Sequence, residues 1–166
     1  MDFLVREAKP DDAEAIVGIL NPIIEAGVYT VFDTSFTVEA ERACILNFPQ
    51  RGIFHVAECR QDKKIVGFQS MEPFATYTHA FDHVGVLGTY VDLAMRRQGI
   101  ASCLFKTTFE TARDKGYEKI FTFIRADNLV ALTTYLRQGF RIIGTAQKQA
   151  KTSGKYIDEI IIEKLL

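Results

Sequence analysis

The sequence predicts a mixed α/β fold in one domain, a central mixed β-sheet flanked by helices. Three observations carry this. Short β-rich runs alternate with segments of helical periodicity. Strand pairs joined by short polar links stand beside strand–helix–strand units, so antiparallel and parallel pairs must share one sheet. The 166 residues show no repeat, low-complexity tract or linker, so residues 1–166 read as a single domain.

Phe3–Glu7 alternates apolar and polar residues and is the first strand. Pro10-Asp11-Asp12-Ala13-Glu14 opens a helix, with Asp11 as its cap and Glu14 as the capping-box partner. Ile16, Ile19, Leu20, Ile23 and Ile24 form one apolar stripe. Pro22 removes a backbone donor and is expected to kink or divide this helix, and Gly27 ends it. Val28–Phe36 is extended and rich in β-branched and aromatic residues. Thr37 caps a second helix over Val38–Asn47, and Pro49–Gly52 breaks the chain. Ile53–Cys59 and Lys64–Glu72 form a hairpin across the polar link Arg60–Lys63. Phe74–His83 lacks periodicity and reads as a loop.

Val84–Leu93 is the next strand. A helix over 101–115 carries Leu104, Phe105, Thr108, Phe109 and Ala112 on one face and stops at Gly116. Lys119–Arg125 is almost continuously apolar, as in a strand buried on both faces. Asp127 or Asn128 caps a last helix that ends at Gly139. Phe140–Gln147 and Tyr156–Glu163 are the final strands, with Lys148, Lys151 and Lys155 in a solvated turn between them.

Composition narrows the function. The formal charge is -1, which argues against a general nucleic-acid binder. No apolar run approaches the roughly 18 residues needed to cross a bilayer, and the N-terminus lacks signal-peptide architecture, so a cytoplasmic protein is expected. Cys44, Cys59 and Cys103 have apolar neighbours and read as small buried residues, not as a metal or redox motif. His79 and His83 have i, i+4 spacing, but in a segment that looks like a loop and without a third ligand, so no metal is expected.

Arg96-Arg97-Gln98-Gly99-Ile100-Ala101-Ser102 is the most informative stretch. It links a strand to a helix whose first N–H groups lack partners and face outward at the positive end of the dipole. Such an end binds phosphate, Gly99 admits a ligand close to the backbone, and the two arginines add charged donors. The spacing is neither a P-loop nor a dinucleotide fingerprint.

The stretch matches the pattern Gln/Arg-x-x-Gly-x-Gly/Ala at Arg96, Gly99 and Ala101. The chain thereby resembles the GNAT superfamily of N-acetyltransferases. The order of strands and helices agrees along essentially the whole chain, and the likeness is strongest from Val84 to Phe140. A second motif runs Asn128-x-x-Ala131-x-x-x-Tyr135-x-x-x-Gly139-Phe140. The resemblance implies acetyl-CoA as cosubstrate, with its pyrophosphate on the loop from Arg96 to Ser102. It also implies a pantetheine arm paired with the backbone near Val91 and Leu93, and an Asn128 contact. Tyr135 would protonate the leaving thiolate by the same resemblance. On their own chemistry Asn128 also reads as a helix cap alone and Tyr135 as a packed aromatic with a satisfied hydroxyl.

Direct transfer needs a base for the amine, and Glu72, Glu25 and Asp92 are the candidates, with Glu72 favoured. The opening residues and the segment Gly154–Asp158 resemble the phosphinothricin and amino-acid acetyltransferase branch. That branch often carries a glutamate three residues before the position of Tyr90, where this chain has Leu87. The expected acceptor is a primary amine of an amino acid or analogue. Protein or peptide N-acetylation and a non-catalytic acetyl-CoA sensor are the rival readings. The resemblance also admits a homodimer, and no nucleic-acid or membrane partner is expected.

Overall fold

The computed structural model describes residues 2–166. Seven strands form one sheet in the order β1-β2-β3-β4-β5-β7-β6. They are β1 Phe3–Glu7, β2 Ile53–Cys59, β3 Ile65–Pro73, β4 Val84–Val91, β5 Lys119–Arg125, β6 Arg141–Thr152 and β7 Lys155–Leu165. The helices are α1 Ala13–Ala26, α2 Val38–Leu46, α3 Ile100–Asp114 and α4 Leu129–Arg137. Every adjacent pair is antiparallel except β4–β5. That pair holds only at Val84↔Lys119 and Gly85↔Ile120, after which the strands part. No helix among the described residues is long and apolar enough to cross a membrane.

Two apolar layers sandwich the sheet. The α1 stripe predicted from periodicity is buried against Val56, Ile65 and Phe68. On the other face α3 buries Ile100 and Leu104 against Ala57 and Val66, and Phe105 and Phe109 against Met71, Leu87 and Ile120. Tyr135 of α4 joins this second core, edge-on to Phe105 and Phe140.

Several expectations are corrected. Asp11 does not cap α1. A 3-10 turn, Pro10–Asp12, precedes the helix, and Asp12 is the buried carboxylate, accepting from Lys9 N at 2.7 Å and from Arg6. Pro22 does not divide α1, which runs on to Gly27 at φ 72°. Its ring lies on the exposed side while the whole apolar stripe is buried, so packing outweighs the lost donor. Val28–Phe36, read from sequence only as extended, stays outside the sheet, because side chains take over the role of a neighbouring strand. Asn21 holds both the N–H and C=O of Phe36, Arg125 donates to Gly27 O and Thr30 O, and Asn128 donates to Tyr29 O. Lys119–Arg125 is a strand but not buried on both faces, since Phe123 is exposed. Cys44 is exposed, and only Cys59 is fully buried. Lys148 and Lys151 lie within β6, so the turn is Ser153-Gly154, and Lys148 occupies an irregularity at φ 52° tied to Asp158. Leu93 falls beyond β4, in a 3-10 turn capped by Asp92.

Candidate active site

Where β4 leaves β5, the sheet opens. Thr122 Oγ1 donates to Leu87 O at 2.7 Å from a buried position, taking one carbonyl that a paired β5 would have covered. Beyond it lies a cleft of about 940 Å³. Its walls come from both faces of the sheet: Ile23, Tyr29 and Tyr90 beside α1, and Thr89, Val91 and Tyr135 beside α3 and α4. A gap through the sheet is what allows one cleft to be lined from both sides.

The mouth of the cleft is the start of α3. Arg97 and Gly99 both take left-handed backbone, at φ 62° and 81°. Left-handed residues alternating with others curl successive N–H groups into an anion-binding concavity. Gly99 is the residue that adopts this geometry without strain, and a side chain added there would project into open space. The first bond of the helix runs from Cys103 N to Gly99 O, so the N–H groups of Ile100, Ala101 and Ser102 have no carbonyl behind them. Arg96, Arg97 and Arg137 line the cleft, and no carboxylate does among the described residues. The Arg96 guanidinium stacks over the Tyr29 ring at 4.4 Å, with its Nε buried and unpaired.

Of the residues singled out from sequence, Val91, Arg96, Arg97, Gly99, Ile100, Ala101, Ser102, Asn128 and Tyr135 meet on this cleft. Gln98 and Leu93 do not line it. Gln98 is exposed and reaches back to Met95, while Leu93 packs into the α1-side core. Asn128 has two structural jobs: Oδ1 accepts from Ala131 N at 3.1 Å and caps α4, and Nδ2 donates to Tyr29 O at 3.1 Å. Glu72 lies elsewhere. Strand alternation puts it on the Phe68 face, opposite Met71 and exposed, where it adds to burial and to Glu41 in raising the pKa of the Cys44 thiol. It stands four residues along β3 from Phe68, the partner of Tyr90, or about 13 Å away. Glu25 is exposed on α1, and Asp92 is spent on its cap.

Tyr135 is 7 % exposed, and its hydroxyl lies 2.9 Å from Thr89 Oγ1. Burial pushes the phenol well above its ordinary pKa, against the opposing effect of the Thr89 bond. Tyr135 therefore carries its proton at neutral pH. Behind Thr89 sits Gln69, wholly buried, donating Nε2 to Thr89 Oγ1 at 2.8 Å. Sequence reasoning missed Tyr29, Thr89, Gln69 and Arg137. Thr89 sits two residues before Val91, on the same strand face, and Arg137 four residues after Thr133 on α4; those spacings were the available signals.

A sheet that parts beside a helix N-terminus, with a proton-bearing phenol in the gap, makes a cleft with an anion-accepting mouth and a proton donor inside it. The Acetyltransferase (GNAT) family model matches residues 25–140, and the chain belongs to that family. It is an acetyl-CoA-dependent N-acetyltransferase. It is similar to phosphinothricin N-acetyltransferase of Streptomyces coelicolor, 25 % identical over 98 % of this chain and 95 % of the relative. It is also similar to the L-amino acid N-acetyltransferase AaaT of Escherichia coli K12, 27 % identical over 95 % and 94 %. Among solved structures, the ribosomal-protein-alanine N-acetyltransferase of Brucella melitensis superposes with a TM-score of 0.90 at 26 % identity, covering 98 % and 99 %.

Proposed function

We propose that this enzyme acetylates the primary amine of a small molecule, an amino acid or an analogue, by direct transfer. The carrying observation is the convergence of three features on one cleft: the parted β4 edge, the N-terminus of α3, and Tyr135. The full-length likeness to phosphinothricin and L-amino acid acetyltransferases supports the acceptor class.

The residues divide the work. The N–H groups of Ile100, Ala101 and Ser102, with Arg96, Arg97 and Arg137, hold the pyrophosphate and other phosphate charge. The free backbone of β4 around Thr89–Val91 pairs with the pantetheine arm and offers a donor to the acetyl oxygen, an arrangement often worth a few kcal/mol in acyl transfer. Tyr135 Oη gives its proton to the departing sulfur as the amine nitrogen bonds to the acetyl carbon. The amine's proton passes to solvent, because Glu72, about 13 Å along β3 from the partner of Tyr90, is beyond reach both directly and through one water. The unpaired outer edge of β6 supports a homodimer, which sedimentation would test.

The test is thiol release from acetyl-CoA with free amino acids, polyamines and short peptides, on wild type and on Tyr135→Phe. Turnover with amino acids and loss in the variant support the proposal. Turnover confined to peptides would replace the acceptor class, a reading the Brucella structure's likeness makes worth including. Acetyl-CoA binding without turnover on any amine would point to a sensor.

A further inference from the structure

We infer that Thr89, oriented by Gln69, is a positioning residue that turns the Tyr135 proton toward the cleft. This rests on the proposed role of Tyr135 as acid. Gln69 Nε2 stands 2.8 Å from Thr89 Oγ1, which stands 2.9 Å from Tyr135 Oη. An amide nitrogen donates and does not accept. Thr89 therefore receives a hydrogen bond from Gln69 and must send its single proton elsewhere. Among the described residues its hydroxyl has one other neighbour, Tyr135 Oη. Thr89 donates there, so the Tyr135 proton points away from Thr89. The phenol has no acceptor on the protein among the described residues, and its ring borders the cleft.

The direction depends on which way round the Gln69 amide sits. As placed, Gln69 leaves Oε1 and one of its two Nε2 protons buried without a partner. The flipped amide would satisfy the oxygen but leave both N–H donors buried without partners, and an orphaned donor is the rarer and costlier defect. Flipped, it would also accept from Thr89, and Thr89 would then accept from Tyr135. The proton would face into the protein. Gln69 thus selects between two proton arrangements, one able to donate into the cleft and one not.

The same arrangement serves the step itself. As the carbon–sulfur bond breaks and the carbon–nitrogen bond forms, the Tyr135 proton passes to sulfur. The phenolate left behind accepts the Thr89 hydrogen bond, and a hydrogen bond to a charged group is the stronger kind. The proton lost from the amine returns through solvent to restore the phenol. The Thr89 side chain touches neither substrate; its share in holding acetyl-CoA is its backbone, which Thr89→Val and Thr89→Ser leave in place.

Two measurements test it. Thr89→Val keeps the shape and removes the donor. With acetyl-CoA and the most active amine of the panel, kcat should fall about 10- to 100-fold at unchanged KM for acetyl-CoA. Thr89→Ser should restore it. In a Tyr135→Phe background Thr89→Val should cost nothing more. Full kcat in Thr89→Val, or losses that multiply in the double variant, overturn the inference and leave Tyr135 as the acid. Full kcat in Tyr135→Phe overturns the acid itself. Hydroxyl-proton NMR reads the direction without any acceptor present. A slowly exchanging Thr89 hydroxyl proton, lost in Tyr135→Phe, is expected. A protected Tyr135 hydroxyl beside a rapidly exchanging Thr89 would refute the assigned direction.

Discussion

Asn128 offers the sharpest separation of structural from functional effect. Its side chain caps α4 through Oδ1 and pins Tyr29 O through Nδ2. Tyr29 in turn carries the Arg96 guanidinium. Asn128→Ala removes both bonds. The lost cap costs about 1 kcal/mol, and the orphaned Tyr29 carbonyl about 1 kcal/mol more. For a chain of this length about 2 kcal/mol lowers Tm by roughly 4–8 °C. Asn128→Asp keeps a capping oxygen but loses the Nδ2 donor, so it should lose about half as much. Both variants free Tyr29, so both should raise KM for acetyl-CoA by a similar factor. Thermal unfolding with parallel kinetics reads the two quantities. Equal destabilisation by Ala and Asp would show that the cap contributes nothing. A raised KM in Ala alone would show that the Tyr29 bond does not position Arg96.

Other consequences follow from single groups. Gly99→Ala should cost about 1–2 kcal/mol for its left-handed backbone, and Gly99→Glu, placing a carboxylate where phosphate would lie, should weaken acetyl-CoA binding more than about tenfold by calorimetry. His55 is buried with Nδ1 2.9 Å from Thr108 Oγ1, and burial holds its pKa below the usual value. Below about pH 6.5 the unfolded chain binds a proton the native form refuses, so stability should fall toward pH 5 by up to about 1.4 kcal/mol per pH unit. A pH-independent Tm over that range would contradict this. Burial alone would raise the Asp12 carboxyl, but hydrogen bonds from Arg6 and Lys9 N outweigh it and hold it below the ordinary range. Its contribution is present above about pH 3.9 and fades as pH drops through the lower folded value. Asp12→Asn should flatten that acid limb in denaturant titrations.

Local patterns made most of the fold legible. The α1 stripe, the Thr37 and Asn128 caps, the Gly27 and Gly139 stops and the β2–β3 hairpin each depend on residues within one or two turns of each other. The proposed phosphate loop was readable for the same reason, since Arg96–Ser102 is contiguous and the chemistry proposed for it is that of its own backbone. What failed was non-local. Val28–Phe36 was legible as extended, but not the partners of its carbonyls, Arg125 and Asn128, about a hundred residues away in the chain. Pro22 tolerates a helix because its neighbours' burial decides the matter, and burial is not local. Lys151 entered a strand because β7 ran past it, pairing it with Tyr156, and Lys148 is held in the intervening irregularity by the Asp158 side chain.

The site divides the same way. By itself the sequence determined the family, and it marked the proposed anion loop and the phenol at position 135, because each belongs to a motif of contiguous or helix-spaced residues. Only the tertiary structure decided that β4 parts from β5 after Gly85, since strand divergence is a property of two partners. It set Glu72 on the face away from Tyr135 by the alternation and registry of β3. It also brought Gln69, Thr89 and Tyr135 into one line from three separate elements. A hydrogen-bond direction depends on which groups meet in space, and no spacing along one chain records it.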